Sequence, residues 1–408
     1  MATITPSTDF SAHPAKSGIS AKSTTRDPRL DFYRGIAMFI ILVAHIPGNW
    51  WVAWIPARFG FSDATEIFVF CSGMASAIAF GRSYDKSGWW FGTARVVFRV
   101  WQVYWAHIAL FFFIAMMIAA VDAYGGYEKS YANGLNLGHF FNDPMPQIVG
   151  LFTLTYVPNY FDILPMYLGI LALMPILMLL AGVSFWLTAG FSVALWLVAN
   201  LGLLPLSAEP WSDREWFFNP FGWQLLFFTG FAFMRGWLPA PPISKALVWF
   251  CVAFLVISAP FGSWKVLMWL NAASPELASL IRGTWSSLGE FRDKTEFGAL
   301  RYLHFLALAY LGYAAAGDGG HRLIATGTGA GAAIWRQVLR VITKVGQQSL
   351  AVFVFSMALA RVIGFALDHT SRDAWIVSMA NLVGFGLIIA VAYLAGWFKS
   401  APWKGRAK

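Results

Sequence analysis

The stretch from Arg29 to His45 is where a polar, basic segment changes into sequence compatible with lipid. No charged residue lies between Arg34 and His45, so one membrane-spanning helix carries both side chains. Eleven residues at about 100° each return to nearly the same helix face, and a rise of about 1.5 Å per residue separates the two side chains by roughly 16 Å. The pattern therefore predicts two polar sites at different depths on one face.

Each of these residues has a structural alternative. An arginine at the cytosolic start of a span is often an anchor that extends to the headgroups, and this alternative applies to Arg34. An ionisable group inside the membrane is costly and mostly functional, which favours a functional role for His45.

Composition makes the chain a polytopic membrane protein of the all-α class. Of its residues 58% are hydrophobic and only 12% are charged. The basic residues that give a net charge of +9 fall in short clusters between apolar spans, which argues against binding of nucleic acid. Cys71 and Cys251 lie inside apolar segments, so neither a disulfide framework nor metal-ligand spacing is indicated.

Segments of about 20 apolar residues predict about ten transmembrane helices. A further segment, 147–160, is apolar but short, and we interpret it as interfacial or re-entrant. The predicted spans are 30–52, 64–81, 94–121, 162–181, 183–204, 221–238, 244–262, 298–316, 346–367 and 374–398.

The distribution of Lys and Arg predicts that both termini are cytosolic. With the N-terminus inside, 18 of the 29 Lys and Arg residues fall in inner segments and 8 in outer ones. Residues 1–28 lack the apolar core of a signal peptide and are predicted to be a disordered cytosolic tail. Residues 29–398 are predicted to form one transmembrane domain, which contains a flexible connector at 317–335. Residues 399–408 are predicted to be a basic cytosolic tail.

An imidazole and up to three carboxylates are predicted at the outer side. Because consecutive spans are antiparallel, Glu66 near the start of span 2 can lie at the depth of His45, and we expect it to orient the ring of a catalytic His45. Asp63 is interpreted as a helix cap. For Asp162, capping and function are both open.

The inner side is predicted to bind anions. Arg95 and Arg99 are one turn apart at the start of span 3 and face the same leaflet as Arg34. Guanidinium groups bind phosphate bidentately, so the three arginines suit phosphate groups. Topogenic charge is the alternative for Arg95, and Asp31 is placed to pair with Arg34.

Three further ionisable residues lie in later spans. Arg301 and His304 share a face at the start of span 8, where they could bind a carboxylate or a sugar, or act as interfacial anchors. Arg361 lies inside span 9 and needs a partner that the sequence does not name.

The motifs resemble those of a known superfamily. Arg34 and His45, separated by ten residues, resemble the Arg-x10-His motif of the acyltransferase-3 superfamily, whose members O-acylate surface sugars. Further similar segments are 67–73 (IFVFCSG), the arginine-rich 95–104 and 345–350 (VGQQSL). Ser356 stands where many members have a second histidine, which argues against a two-histidine scheme.

Four runs more closely resemble the OpgC family, which succinylates osmoregulated periplasmic glucans in the inner membrane of Gram-negative bacteria. They are 30–35 (LDFYRG), 161–167 (FDILPMY), 219–224 (NPFGWQ) and 301–305 (RYLHF). The resemblance spans about 28–398. It makes residues within these runs candidates for substrate contact, namely Asp31, Asp162, Trp223, Gln224, Arg301 and His304.

The resemblance implies transfer of a succinyl group from cytosolic succinyl-CoA to a glucan hydroxyl, with no permanently bound cofactor. Arg34, Arg95 and Arg99 would then hold the CoA phosphates, and His45 would act as base or accept the acyl group. Arg301, assisted by His304, is the first candidate for the succinyl carboxylate, and Arg361 is its rival. The alternatives are an O-acetyltransferase of another surface polysaccharide, or a transporter of glycans or acylated lipids.

Overall fold

A computed structural model of the protein describes residues 27–126 and 128–405, and this part of the chain is helical with no β-strand. Short 3-10 helices and one isolated bridge between Ser207 and Glu215 join the α-helices. The α-helices in chain order are α1 (Pro28–His45), α2 (Ala64–Ser76), α3 (Arg82–Tyr124), α4 (Tyr131–Gly134), α5 (Gly138–Asn142), α6 (Pro144–Thr153), α7 (Ile163–Val183), α8 (Phe185–Asn200), α9 (Pro220–Arg235), α10 (Lys245–Gly262), α11 (Trp264–Ala273), α12 (Pro275–Ser287), α13 (Ala299–Ala316), α14 (Ala330–Gln347), α15 (Ser349–His369) and α16 (Ala374–Lys399).

The all-helical fold class is confirmed, and the helices are those of a membrane protein. Within the described residues, five helical stretches are long and apolar enough to cross a bilayer: Ala64–Tyr124, Ile163–Val183, Lys245–Gly262, Ser349–His369 and Ala374–Lys404. Each of the ten segments predicted from sequence coincides largely with a helix. Ten crossings and cytosolic termini stay predictions. The tail predicted for 1–28 lies outside the described residues up to residue 26.

The first helix ends earlier than the sequence predicts. Span 1 was expected to reach residue 52, but α1 ends at His45. Pro47 lacks a backbone N–H, and Gly48 adopts a left-handed φ of 69°, so the helical hydrogen bonds cannot continue. The chain resumes as a 3-10 helix at Trp50–Trp54. His45 therefore occupies the last residue of the helix, where side chains are less enclosed than in the middle.

Two other segments differ from expectation in an informative way. The helix α6 has only 10 residues, about 15 Å in length, so this helix alone is too short to cross the hydrocarbon core, and the interfacial or re-entrant position of 147–160 stays a prediction. The connector 317–335 is not uniformly irregular, because Asp318–Leu323 forms a 3-10 helix and α14 begins at Ala330. The outer loop 263–297 contains α11 and α12.

The helix α1 lies against α2, α14 and α15. Glycines allow the closest of these approaches. A Cβ added at Gly346 would overlap the carbonyl oxygen of Asp31, and one at Gly35 would overlap that of Ile342. The backbones of α1 and α14 are therefore nearly in contact, as small residues permit between membrane helices.

The pair α2 and α9 packs in the same way and gives a stability prediction. A Cβ at Gly73 would overlap the carbonyl oxygen of Phe227, and one at Gly230 would overlap that of Phe70. Replacing Gly73 with alanine must separate two backbones, so we expect a loss of about 1–3 kcal/mol in the free energy of unfolding, measured in detergent.

The matched control for this substitution is Gly386→Ala in α16, where an added Cβ meets no atom within 4 Å. This change should leave stability unaltered or raise it slightly, because alanine favours a helix over glycine. Equal losses in the two variants would show that the contact between α2 and α9 is not tight.

Candidate active site

His45 is held in one tautomer by its own helix. Its Nδ1 lies 2.7 Å from the carbonyl oxygen of Ile41, one turn earlier in α1. A carbonyl oxygen only accepts, so in the neutral ring Nδ1 carries the proton and Nε2 keeps its lone pair. The side chain is only half-buried. His45 therefore presents a nitrogen that can accept a proton or attack a carbonyl carbon.

The ring of Tyr160 connects His45 to an arginine. The two rings meet edge to face with centroids 5.4 Å apart, and the guanidinium carbon of Arg361 lies 4.0 Å from the centroid of Tyr160. The Tyr160 hydroxyl donates to the carbonyl oxygen of Met357, which fixes the ring on α15. We call His45, Tyr160 and Arg361 the His45 cluster.

Tyr160 reaches this position through an unusual backbone. Its φ is 88°, in a region that side chains other than glycine seldom occupy. Such a conformation costs on the order of 1–3 kcal/mol and is found mostly at functional sites. The loop between α6 and α7 thus adopts an unfavourable backbone conformation, which places the Tyr160 ring in contact with both His45 and Arg361.

Glu66 does not orient His45, and this prediction is corrected. Glu66 is fully buried and accepts two hydrogen bonds from Arg301, from Nε at 2.8 Å and from Nη2 at 2.5 Å. Its other oxygen accepts from the backbone N–H of Asp63 at 2.7 Å and completes a capping box at the start of α2. The carbonyl of Ile41 takes the orienting role instead.

The other two outer carboxylates differ from each other. Asp63 caps α2 as predicted, and it also forms an ion pair with Lys294 at 2.6 Å. Asp162 lies at the start of α7 but makes no side-chain capping bond. Its Oδ1 is buried without a hydrogen-bond partner. Capping therefore does not account for Asp162, and its place in a substrate site stays a prediction.

Three residues predicted to contact substrate form hydrogen bonds within the protein. Trp223 is fully buried and donates to the carbonyl oxygen of Lys294 at 2.9 Å. Gln224 is also fully buried and exchanges hydrogen bonds with Ser192, which joins α8 to α9. His304 is buried against Gly60 with Nδ1 at 2.7 Å from the hydroxyl of Ser62. All three side chains contact other residues of the protein, and their contact with substrate stays a prediction.

Near the N-terminal end of α1, two of the sequence motifs meet. Arg34 donates to the hydroxyl of Ser349, the first residue of α15. Gln347 donates to Asp31 at 3.2 Å, and Asp31 is buried. Asp31 and Arg34 are thus held by the segment 346–349, and Arg34 keeps a buried Nε without a partner. The substrate contact expected for Asp31 stays a prediction.

The three arginines predicted at the inner side have different partners. Arg99 donates to Gln102 at 3.2 Å. Arg95 instead bonds to Ser83 at 2.7 Å. It borders a polar cavity of about 450 Å³, whose lining also includes Arg82 and Lys86. A ligand with phosphates at both Arg99 and this cavity would have to extend along the inner surface of α3.

Comparison with known proteins gives the family. The profile of the OpgC protein family matches residues 26–400. The chain belongs to the OpgC family. Neither the curated proteins nor the solved structures gave a match. Membership of the OpgC family indicates an acyltransferase with a function like that of glucan succinyltransferases.

The sequence analysis did not identify two residues of the candidate site, Ser349 and Tyr160. Ser349 lies in segment 345–350, which resembles a superfamily motif, and this resemblance is a signal that could have placed it near Arg34. Tyr160 has no sequence signal of its own, because it lies in an irregular loop and its role depends on a left-handed backbone.

Proposed function

We propose that this protein is an O-acyltransferase of the bacterial inner membrane that moves a succinyl group from cytosolic succinyl-CoA to hydroxyls of a periplasmic glucan. The observation that carries the proposal is the state of His45: Nδ1 is occupied by the Ile41 carbonyl, Nε2 is left with its lone pair, and the ring contacts Tyr160, on which Arg361 packs. A nitrogen in this state suits a general base or a nucleophile.

Arg34 and His45, at different depths on α1, have different roles in this proposal. Arg34 with Arg99 offers positive charge to the phosphates of the CoA, and the extended arm of the CoA would carry the thioester the roughly 16 Å to His45. Arg95, with Arg82 and Lys86, offers a second basic place for phosphate. No metal or resident cofactor is needed for this chemistry.

The proton needed in the transfer step passes through His45. His45 Nε2 takes the proton of a glucan hydroxyl as its oxygen forms a bond to the thioester carbonyl carbon. The carbon–sulfur bond then breaks, and the CoA thiolate takes the proton from His45. Alternatively, Nε2 attacks the thioester carbonyl carbon, the carbon–sulfur bond breaks and the CoA thiolate leaves. A glucan hydroxyl then attacks the acyl-histidine, the carbon–nitrogen bond breaks, and the thiolate takes the proton of the hydroxyl.

The test uses membranes that contain the whole protein, with succinyl-CoA on the cytosolic side and glucan as acceptor. We expect release of free CoA thiol together with succinyl esters on the glucan, and both should depend on the glucan. Movement of glucan across the membrane without release of thiol would overturn the proposal and support a transporter.

A further inference from the structure

Among the described residues, Arg361 is a half-buried cation without an acidic partner that packs on the ring next to His45. It lies in α15, half-buried, with its Nε buried and without a hydrogen-bond partner. Within the described residues no carboxylate lies within ion-pair distance of it. Its contacts are the ring and the hydroxyl of Tyr160. Four other cations predicted at the outer side have acidic partners, and the pairs are Arg301 with Glu66, Lys294 with Asp63, Arg214 with Glu209 and Arg372 with Asp368.

Arg361 lies at the depth of His45. Arg34 bonds to Ser349 at the inner ends of α1 and α15, and Pro47 lies against Gly364 at the outer ends, so the two helices are parallel. Arg361 follows Ser349 by 12 residues, about 18 Å, and His45 follows Arg34 by 11 residues, about 16 Å. An acyl group that reaches His45 is therefore level with the guanidinium.

The distance between the two groups suits a dicarboxylic acyl group. The separations of 5.4 Å and 4.0 Å through Tyr160 mean that the His45 ring centre and the Arg361 guanidinium carbon are no more than about 9.4 Å apart. A succinyl chain measures about 4 Å from carbonyl carbon to carboxylate carbon. With one approach of reacting atoms of about 3–3.5 Å and one charged hydrogen bond of about 2.8 Å added, the reach of this chain is about 10 Å. This reach exceeds the upper bound on the separation, so a bent succinyl chain can contact both groups.

We propose that Arg361 binds the terminal carboxylate of the acyl group and selects a dicarboxylic donor over an uncharged one. This inference rests on the proposed acyl transfer and names the residue that determines its acyl specificity. An unpaired carboxylate in a site shielded from water is very costly, and a half-buried guanidinium without an acidic partner is complementary to it. Tyr160 holds that guanidinium against its ring.

Arg301, the first candidate from sequence, is less suitable because Glu66 already accepts two of its N–H groups. Asp63 lies 3.7 Å from the same guanidinium, so a succinyl carboxylate bound to its remaining N–H groups would bring a third negative charge to one cation. We therefore give this role to Arg361 and not to Arg301.

The test compares two donors that differ in the carboxylate alone. Butyryl-CoA has the same chain length as succinyl-CoA, with a methyl group in place of the carboxylate. In Arg361→Gln and Arg361→Met, we expect the ratio of kcat/KM for succinyl-CoA to that for butyryl-CoA to fall by roughly 10- to 150-fold, the effect of losing a charge-assisted hydrogen bond. The butyryl rate itself should change little.

A ratio measured in one membrane preparation does not depend on how much protein is folded, so a partly unfolded variant still gives an answer. Arg282→Gln is the matched control, because Arg282 is an exposed outer arginine on α12, and it should keep the wild-type ratio. An unchanged ratio in both Arg361 variants would overturn the assignment of Arg361. A wild-type protein that transfers neither acyl group would instead overturn the proposed function.

Discussion

Replacing His45 with alanine is expected to lower acyl transfer by about 10²–10⁴-fold while the protein stays folded, because a histidine base contributes a factor of that size. The side chain is half-buried, and its one hydrogen bond, from Nδ1 to the Ile41 carbonyl, lies within its own helix. Its loss therefore removes little packing. The measurement is the rate of succinyl ester formation in membranes, normalised to the amount of folded protein.

His321→Ala is the control, because His321 is exposed in a 3-10 helix far along the chain from the site. Its rate should equal that of the wild type. Near-normal transfer by the His45 variant would exclude His45 as base and as nucleophile. Incubation of the wild type with labelled succinyl-CoA in the absence of glucan separates these two roles, since only a nucleophilic His45 becomes labelled.

The sequence predicts the helices well because their signal is local. A run of about 20 apolar residues has one stable arrangement in lipid, so each of the ten segments has its helix. The errors lie at helix ends, and α1 shows why: Pro47 and Gly48 stop it seven residues before the apolar run ends. Hydropathy does not register this kind of backbone constraint.

The sequence predicts which residues are ionisable and at what depth, but not which of them are paired. The depth argument placed both Glu66 and Arg301 at the outer side, yet it gave no reason to join residues 235 positions apart. Pairing depends on the packing of α2 against α13. Once Glu66 is assigned to Arg301, His45 loses its expected carboxylate, and Arg361 remains as a cation without an acidic partner in the His45 cluster.

The position of Tyr160 cannot be predicted from the sequence, for a different reason. Its position follows from a loop with a left-handed residue, and a tyrosine gives no indication that it will adopt φ near 88°. Three-dimensional structure is needed to find a residue whose function depends on backbone strain.

The Glu66→Gln variant is expected to lose about 3–5 kcal/mol in the free energy of unfolding, because removing one member of a buried ion pair leaves the other unpaired. Glutamine keeps an oxygen that can accept from the Asp63 N–H, so the capping box at α2 survives the change. Asp63 lies 3.7 Å from Arg301 but is already neutralised by Lys294, so it replaces Glu66 only in part. Unfolding in detergent micelles measures the loss.

The double variant Glu66→Gln with Arg301→Gln separates a structural pair from a catalytic carboxylate. With both charges removed, no buried charge is left alone, so the destabilisation should be much smaller than the sum of the two single losses. If Glu66 instead assisted His45, Glu66→Gln would lower kcat without lowering stability, and removing Arg301 would not restore it. Stability that recovers in the double variant thus assigns Glu66 to the scaffold that supports the start of α2, and leaves the chemistry to His45.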